Sequence, residues 1–147
     1  MDKVIQLLLD KIVQKTDKYP SLWQERILIR IASALHDIGK IGIDEAILNK
    51  PGRLTAEEFE SMKAYTAIGA DMLRNLPRYQ EERLLQIAIE ICRWHHERYD
   101  GKGYPDGLVG DEIPISAQLV SIADVYDALT SERVYKKRHF HMKKLCR

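Results

Sequence analysis

Three places in the chain put metal-ligand side chains on helix faces that the sequence predicts to be buried. His36 and Asp37 are adjacent near the end of one predicted helix, and because neighbouring helical residues diverge by about 100°, such a pair can straddle a metal ion. His95 continues an apolar stripe and precedes His96, while Asp124 lies among small residues on a later helix. Three imidazoles and two carboxylates from three helices predict an iron, manganese or zinc site.

Each of these residues also has a purely structural interpretation when it is taken alone. A single inward histidine is often a hydrogen-bonded core residue, and an inward aspartate can pair with an arginine. Other catalytic motifs are missing from the sequence, which contains no GxxxxGK[ST] phosphate loop, no GxSxG turn and no HExxH helix. Cys92 precedes His95 by one helical turn on an apolar face, which is a poor arrangement for an activated thiol. The conjunction of five ligand-type residues therefore favours the metal site.

Helical patterns dominate the sequence, because β-branched residues rarely alternate with polar ones. Ser21 is predicted to cap the second helix, and Thr55 with Glu58 forms a capping box before the third. A glycine-rich loop is predicted over 99–114. The predicted helices cover approximately 2–16, 22–36, 56–75, 79–96 and 115–131, with a helical turn at 44–48 and a short helix near the end. The pattern predicts an all-α fold, a compact bundle of these helices.

The composition is that of one soluble globular domain, with 147 residues, 45% of them hydrophobic and 31% charged. No apolar run approaches the ~18–20 residues that cross a bilayer, and the N-terminus lacks a signal-peptide cleavage pattern, so a cytoplasmic protein without a membrane span is predicted. Cys92 and Cys146 form no CxxC pair, which excludes a zinc knuckle. Residues 131–147 hold seven Lys or Arg against one acidic residue, and this basic end is either a phosphate-attracting patch or a solvated tail.

Four segments, in this order and spacing, make the chain from His36 to Lys136 resemble the HD-GYP family of HD phosphohydrolases. The third and fourth segments are long and specific, and the four cover about two-thirds of the chain. The segments are HDIGKIG at 36–42, LNKPGRLT at 48–55, HHERYDGKGYP at 95–105 and IADVYDALTS at 122–131.

The resemblance implies a bundle of five to seven helices that holds divalent metal ions, iron or manganese, and hydrolyses cyclic di-GMP. Carried over by position, the metal ligands are His36, Asp37, His95, His96 and Asp124, with Asp37 as the bridging ligand. Asp37 and Lys40 are the implied catalytic residues, with Lys40 facing the scissile phosphate. The implied substrate-binding residues are Lys40, Gly103, Tyr104, Pro105, Arg133 and Lys136, and the substrate is a cyclic dinucleotide, with no nucleic acid polymer involved.

Two departures from the family pattern affect the predicted metal site. Tyr65 stands where the family usually has a further histidine, and its helical register with Gly69 and Leu73 predicts that it points inward. A phenol with a pKa near 10 is a poor replacement for a neutral imidazole, so one or two metal sites are expected. No histidine occurs in residues 1–35, where the family usually has an early ligand. The chain is therefore expected to be a single HD-GYP-like domain, residues 1–147, cut at both ends from a longer protein with a sensor or receiver module.

Three functions remain open at the level of sequence. The first is a competent cyclic di-GMP phosphodiesterase, favoured by the retained ligands and the complete Gly103, Tyr104 and Pro105 segment. The second is a degenerate domain that binds nucleotide or a signalling protein partner without efficient turnover, favoured by Tyr65. The third is a phosphohydrolase for another nucleotide, which the segment around Tyr104 disfavours. Metal content and metal-dependent turnover separate the first two.

Overall fold

The computed structural model describes residues 1–130, and these residues form seven α-helices joined by turns and three short 3-10 segments. The α-helices are α1 (Asp2–Lys15), α2 (Leu22–Ser33), α3 (Glu45–Leu48), α4 (Ala56–Lys63), α5 (Tyr65–Arg74), α6 (Arg83–Trp94) and α7 (Ile115–Thr130). The 3-10 segments are Ile38–Gly42, Pro77–Tyr79 and Gly110–Glu112. Asp100 and Val109 form an isolated antiparallel bridge across the loop before α7. The predicted all-α bundle is confirmed.

Helix α6 lies at the centre of the bundle and packs against α2, α5 and α7. Its residues Ala88 and Ile91, with His95 one turn further on, are buried, as their spacing predicts. Ala117 and Val120 of α7 are buried as well, which confirms the predicted inner face of that helix. Within residues 1–130, no helix combines the length and the apolar character that crossing a bilayer requires.

The two predicted helix caps have different outcomes. The Thr55 hydroxyl accepts a hydrogen bond from the Glu58 amide at 3.2 Å, and Glu58 accepts one from the Thr55 amide at 2.6 Å, so the capping box is confirmed. Ser21 is the N-cap residue of α2, but its hydroxyl makes no capping bond. The reason is that its backbone is already helical, with φ −79° and ψ −15°, whereas capping requires an extended conformation.

The prediction that the second helix reaches His36 is wrong, because α2 ends at Ser33. Beyond it the amide of His36 bonds to the Ser33 carbonyl at 3.3 Å and the amide of Ile38 to the Leu35 carbonyl at 3.0 Å, which is the tighter 3-10 spacing. The tight turn brings Gly39 against α5, where a Cβ atom on Gly39 would overlap the Tyr65 carbonyl oxygen. His36 and Asp37 therefore lie on a turn rather than on a helix.

Two further helix boundaries differ from the prediction. The predicted helix over 56–75 is interrupted at Ala64, and the Thr66 hydroxyl donates to the Lys63 carbonyl at 3.0 Å, which diverts that carbonyl from the helical ladder. The predicted helix over 79–96 begins at Arg83 instead, because Pro77–Tyr79 forms a separate 3-10 turn. It ends at Trp94, so the two adjacent histidines follow its last turn.

Candidate metal centre

The turn after α2 and the end of α6 bring four of the predicted ligands together. The rings of His36 and His95 pack edge to face with centroids 5.2 Å apart, and the rings of His95 and His96 are 4.2 Å apart. His36 Nε2 lies 3.4 Å from Asp37 Oδ2. His36 and His95, which are 59 positions apart in sequence, thus belong to one cluster. The cluster lies where the turn after α2 meets the end of α6.

Backbone hydrogen bonds orient two of these imidazoles for ligation. The Nδ1 atoms of His36 and His95 lie 2.8 Å from the carbonyl oxygens of Ser33 and Ile91. A carbonyl only accepts, so each Nδ1 carries the proton and each Nε2 of the neutral ring presents a lone pair. This backbone support of the far ring nitrogen is the usual arrangement for a histidine that binds a metal ion. In the neutral form of His36, its Nε2 and the Asp37 carboxylate are adjacent acceptors, an arrangement that fits a cation.

The hydroxyl group of Tyr65 joins the two histidines that follow α6. It lies 2.9 Å from His95 Nε2 and 2.6 Å from His96 Nε2, and Tyr65 is only 4% exposed. One hydroxyl carries one proton, and His95 Nε2 accepts it because its Nδ1 donates to the Ile91 carbonyl. His96 Nε2 must then donate to the Tyr65 oxygen. The prediction that Tyr65 points inward is confirmed.

The protonation states of these groups follow from their burial. Burial first, and then the positive charge of the neighbouring ring, lowers the pKa of His95 to about 4, and burial likewise lowers the pKa of His96 to about 4. Both imidazoles are therefore neutral at pH 7, which is the form that binds metals. Burial, followed by the negative charge of Asp37, raises the pKa of the Tyr65 phenol far above its usual value. Tyr65 is therefore a proton-bearing hydrogen-bond partner and not a tyrosinate.

Lys40 donates a hydrogen bond to the carboxylate group of the cluster. Its Nζ donates to Asp37 Oδ2 at 2.5 Å and lies 5.2 Å from the centre of the Tyr65 ring. Burial opposes ionisation of Asp37, but the hydrogen bond from Lys40 and then the charges of His36 and Lys40 outweigh it and hold the pKa of Asp37 below its usual value. Across residues 1–130, no three His, Cys, Asp or Glu side chains lie close enough together to hold one ion. Tyr65 and Lys40 bond instead to ligand atoms that a cation would use, namely the Nε2 atoms of His95 and His96 and the carboxylate of Asp37.

Asp124 lies at the edge of this cluster, on α7. It is half-buried, and it makes none of the direct contacts that join the other four predicted ligands within residues 1–130. Its negative charge is nevertheless felt in the cluster: after burial, it is the main cause that raises the pKa of Tyr104 to about 12. The structure thus places Asp124 beside the site, at a longer range than the histidines.

The loop that contains Gly103, Tyr104 and Pro105 lies directly against the cluster. The Tyr104 ring stacks on His96, with centroids 4.8 Å apart and ring planes 27° from parallel. A Cβ atom on Gly103 would overlap the backbone of Glu97 and Arg98, so this close passage requires glycine. The segment predicted to line a substrate groove therefore adjoins the predicted metal ligands.

Glu97 anchors this loop, and the sequence analysis did not single it out. One carboxylate oxygen accepts hydrogen bonds from the amides of Asp106 at 2.7 Å and Gly107 at 3.0 Å, and the other accepts from the Leu108 amide at 3.0 Å. The residue is 3% exposed. An acid directly before a glycine-rich loop was the available signal, because such a loop has amide groups that need acceptors.

The structure does not describe two of the predicted site residues, and it buries the rejected nucleophile Cys92. Arg133 and Lys136, predicted to hold the phosphodiester, lie outside the described residues 1–130. Cys92 is buried and its Sγ lies 3.1 Å from the Leu35 carbonyl, while burial raises the pKa of its thiol to about 12. A thiol in that state is not a nucleophile at neutral pH. This agrees with the prediction that Cys92 is not an activated thiol.

Comparison with known proteins agrees with the all-α fold. The family model described as HD domain matches residues 2–145. A cyclic di-GMP phosphodiesterase from Thermotoga maritima is 53% identical over 108 residues, 74% of this chain and 28% of that protein. The cyclic di-GMP phosphodiesterase response regulator RpfG of Xanthomonas campestris is 47% identical over 114 residues, 78% of this chain and 29% of that protein.

A third relative is named for a different cyclic dinucleotide. The 3′3′-cGAMP-specific phosphodiesterase 2 of Vibrio cholerae is 47% identical over 112 residues, 76% of this chain and 21% of that protein. The chain thus spans less than a third of the length of each of these three relatives. By the match of the family model over nearly its whole length and by these identities, the chain belongs to the HD domain family and to its HD-GYP branch.

Proposed function

We propose that this chain is the catalytic domain of a cytoplasmic, metal-dependent phosphodiesterase that hydrolyses cyclic di-GMP. The observation that carries the proposal is the pair of imidazoles of His36 and His95, whose Nδ1 atoms bond to backbone carbonyls and leave each Nε2 available next to the Asp37 carboxylate. The names of the relatives support the substrate class. The two substrates in those names, cyclic di-GMP and 3′3′-cGAMP, are both cyclic dinucleotides.

The proposed ligands of one or two divalent metal ions, iron or manganese, are His36, Asp37, His95, His96 and Asp124. A bound divalent ion lowers the pKa of water and shields the charge that develops on a phosphoryl group. Nitrogen and carboxylate oxygen without thiolate suit those metals. Asp37 would be the bridging ligand, as the family resemblance implies.

The protein side chains supply positioning and charge in this proposal. Lys40, which bonds to Asp37, would be available to the phosphate if a metal ion engaged that carboxylate, and as a point charge it needs no fixed geometry. Gly103, Tyr104 and Pro105 line one wall of the substrate groove. Arg133 and Lys136 are proposed to hold the phosphodiester, as the family resemblance implies. A sensor or receiver module is the proposed source of regulation, in keeping with the name of the Xanthomonas relative.

Tyr65 sets a condition on this function. For both histidines after α6 to bind metal through Nε2, the Tyr65 hydroxyl has to leave them, and His96 has to move its proton to Nδ1. Two hydrogen bonds at a buried position are given up in that step, each with a net value of about 1 kcal/mol. Metal binding in this chain is therefore proposed to be weaker than it would be with a residue that leaves the histidines free.

Turnover of cyclic di-GMP by the manganese-loaded chain tests the function. The nucleotides would be separated after incubation with the unaltered protein, with Asp37→Ala and with Asp111→Ala, an exposed aspartate remote in sequence as the control. We expect hydrolysis in the first and third proteins and its loss, by at least about a hundredfold, in Asp37→Ala. Metal binding and nucleotide binding without hydrolysis in the unaltered protein would contradict catalysis and indicate a domain that only binds its ligand.

A further inference from the structure

An aromatic and cationic surface lies beside the metal centre, on a helix to which no role has yet been given. Phe59 and Lys63 are one turn apart on α4, so their side chains share a face. The Phe59 ring meets the Tyr104 ring edge to face, with centroids 6.5 Å apart. Lys63 Nζ lies 5.0 Å from the centre of the Phe59 ring and 5.6 Å from that of Tyr104. Two elements distant in sequence thus form one surface.

Phe59 is exposed as part of a contiguous aromatic patch. The side chain is 46% exposed, and its ring contacts the Tyr104 ring, so the two do not stand singly on the surface. Lys63 forms an ion pair with Glu60 at 2.7 Å, which uses one of its three donors and leaves two available. A flat apolar face and spare donors are the groups that a nucleobase needs for stacking and for hydrogen bonds at its edge.

This surface is continuous with the proposed metal ligands. Tyr104 stacks on His96 with one face and meets Phe59 at its edge, so the series His96, Tyr104, Phe59 leads outward from the centre. A nucleotide whose phosphate lies at the metal centre must place its attached base a few bonds away. The rings of Phe59 and Tyr104 form an aromatic surface in this direction.

We propose that Phe59, Lys63 and Tyr104 form a purine-base subsite that prefers guanine. The inference rests on the proposed function, since it takes the phosphodiester to lie at the histidine cluster. Phe59 offers its face to the base, and Lys63 donates to the O6 and N7 acceptors of guanine. Adenine carries an amino donor in place of O6, so the ammonium group of Lys63 disfavours it. One base of the cyclic dinucleotide is read in this way.

The subsite is tested by calorimetric titration of cyclic di-GMP and cyclic di-AMP into the metal-free and the manganese-loaded chain. We expect Phe59→Ala to weaken binding of cyclic di-GMP by about tenfold or more, the usual loss for one base–aromatic stack. Phe59→Trp keeps an aromatic face and is expected to bind within about threefold of the unaltered chain. Lys63→Met keeps the stem of the side chain, and we expect it to reduce the preference for cyclic di-GMP over cyclic di-AMP by about fivefold or more.

The control is Tyr79→Ala, which removes another exposed aromatic ring beyond the far end of α5 and should leave binding unchanged. Metal content and thermal stability are measured in every variant, so that a loss of binding is not confused with a loss of fold. Unchanged binding in Phe59→Ala, equal losses in Phe59→Ala and Phe59→Trp, or no binding of cyclic di-GMP by the unaltered chain would overturn the subsite. Base-dependent binding without hydrolysis would leave the subsite standing and contradict only the proposed catalysis.

Discussion

His36 and Asp37 lie on a turn with 12% and 39% of their side chains exposed, whereas His95 and His96 follow a central helix, where His95 is 1% exposed. The first pair is engaged by Lys40, a flexible side chain that can swing into solvent. The second pair is engaged by Tyr65, a rigid ring at 4% exposure that has no solvent to move into. The proposed metal centre thus combines a pair bonded to a flexible, partly exposed side chain and a pair bonded to a buried ring.

From this difference we infer that the ligand types alone do not determine the affinity of such a centre. All four residues are of the right chemical kind, but each pair has a competitor from the same chain, and the competitors differ in how much structure must change to remove them. We expect a metal ion to engage His36 and Asp37 before it engages the histidines after α6. Variants that affect one pair at a time can establish whether the two pairs differ in this way.

The largest expected effect on stability concerns the loop beside His95 and His96, which Glu97 holds in place. This loop carries Tyr104, whose ring stacks on His96. Glu97→Gln keeps the shape but replaces one of the two acceptor oxygens with a donor group that faces backbone amides. Because charged hydrogen bonds contribute about 1.5–3 kcal/mol each, the free energy of unfolding should fall by about 3–5 kcal/mol. Denaturant unfolding measures the loss.

Glu112→Gln is the matched control for that change, since Glu112 is exposed and accepts a single backbone hydrogen bond, from Val109 at 2.8 Å. Its loss should stay below about 1 kcal/mol. Equal effects of the two substitutions would show that the three hydrogen bonds to Glu97 do not stabilise the loop.

The next effect is on the side of His36 and Asp37, where Gly39 lets the turn approach α5. In Gly39→Ala the new methyl group overlaps backbone atoms of Tyr65 and Gly69, which cannot rotate away. We expect a loss of about 2–3 kcal/mol of stability, as for an overpacked core position, together with weaker manganese binding. Thermal melts with and without manganese measure both.

Gly42→Ala provides the comparison within the same 3-10 segment. There the methyl group meets the side chain of Ile68 at 2.9 Å, which can adjust its rotamer. Stability should fall by less than about 1 kcal/mol. A Gly42→Ala variant as unstable as Gly39→Ala would indicate that the turn responds to any added Cβ and not to its contact with α5.

The smallest expected effect on stability distinguishes the two pairs most sharply. Tyr65→Phe removes the hydroxyl that joins the imidazoles, so the metal-free chain should lose about 1–2 kcal/mol of stability. The same change frees both Nε2 atoms, and manganese affinity should rise by up to about tenfold. Calorimetric titration with manganese gives the affinity. A fall in manganese affinity would identify Tyr65 as a ligand and contradict the inference that it competes with the metal ion for the two histidines.

Tyr65→His extends that measurement. An imidazole at this position can ligate rather than compete, so metal stoichiometry and cyclic di-GMP hydrolysis should both increase. Losing even an outer hydrogen-bond partner changes metal affinity or activity by about 10–100-fold, which sets the scale of the expected gain. Elemental analysis of the two purified proteins gives the stoichiometry. Unchanged metal content in Tyr65→His would mean that position 65 has no part in the centre.

The sequence was sufficient for features that depend on neighbouring residues. The inward positions of His95 and Tyr65 follow from helical periodicity, and the capping box at Thr55 follows from two residues three apart. The cluster itself could be anticipated because all its members are residue types that bind metal ions.

Other features depend on residues far apart in the chain and could not be predicted from local patterns. The end of α2 at Ser33 accommodates the contact between Gly39 and α5, and the bond from Tyr65 to both histidines joins residues 30 and 31 positions apart. Glu97 precedes a glycine-rich loop, which is a local signal, but its three amide partners are set only when the loop has folded over it. Local propensity carries no information about such contacts, which exist only in the packed state.

The central claim is that the proposed ligands form one divalent metal centre: His36, Asp37, His95, His96 and Asp124. The effect of manganese on thermal stability tests this claim most directly. The unaltered chain, Asp37→Ala and the control Asp111→Ala would be melted without manganese and with a hundredfold excess over the dissociation constant. Binding to the folded state alone stabilises it by roughly 2.7 kcal/mol under those conditions. We predict an upward shift in the unaltered chain and in Asp111→Ala and none in Asp37→Ala. Equal shifts in all three proteins, or no shift in the unaltered chain, would contradict the claim.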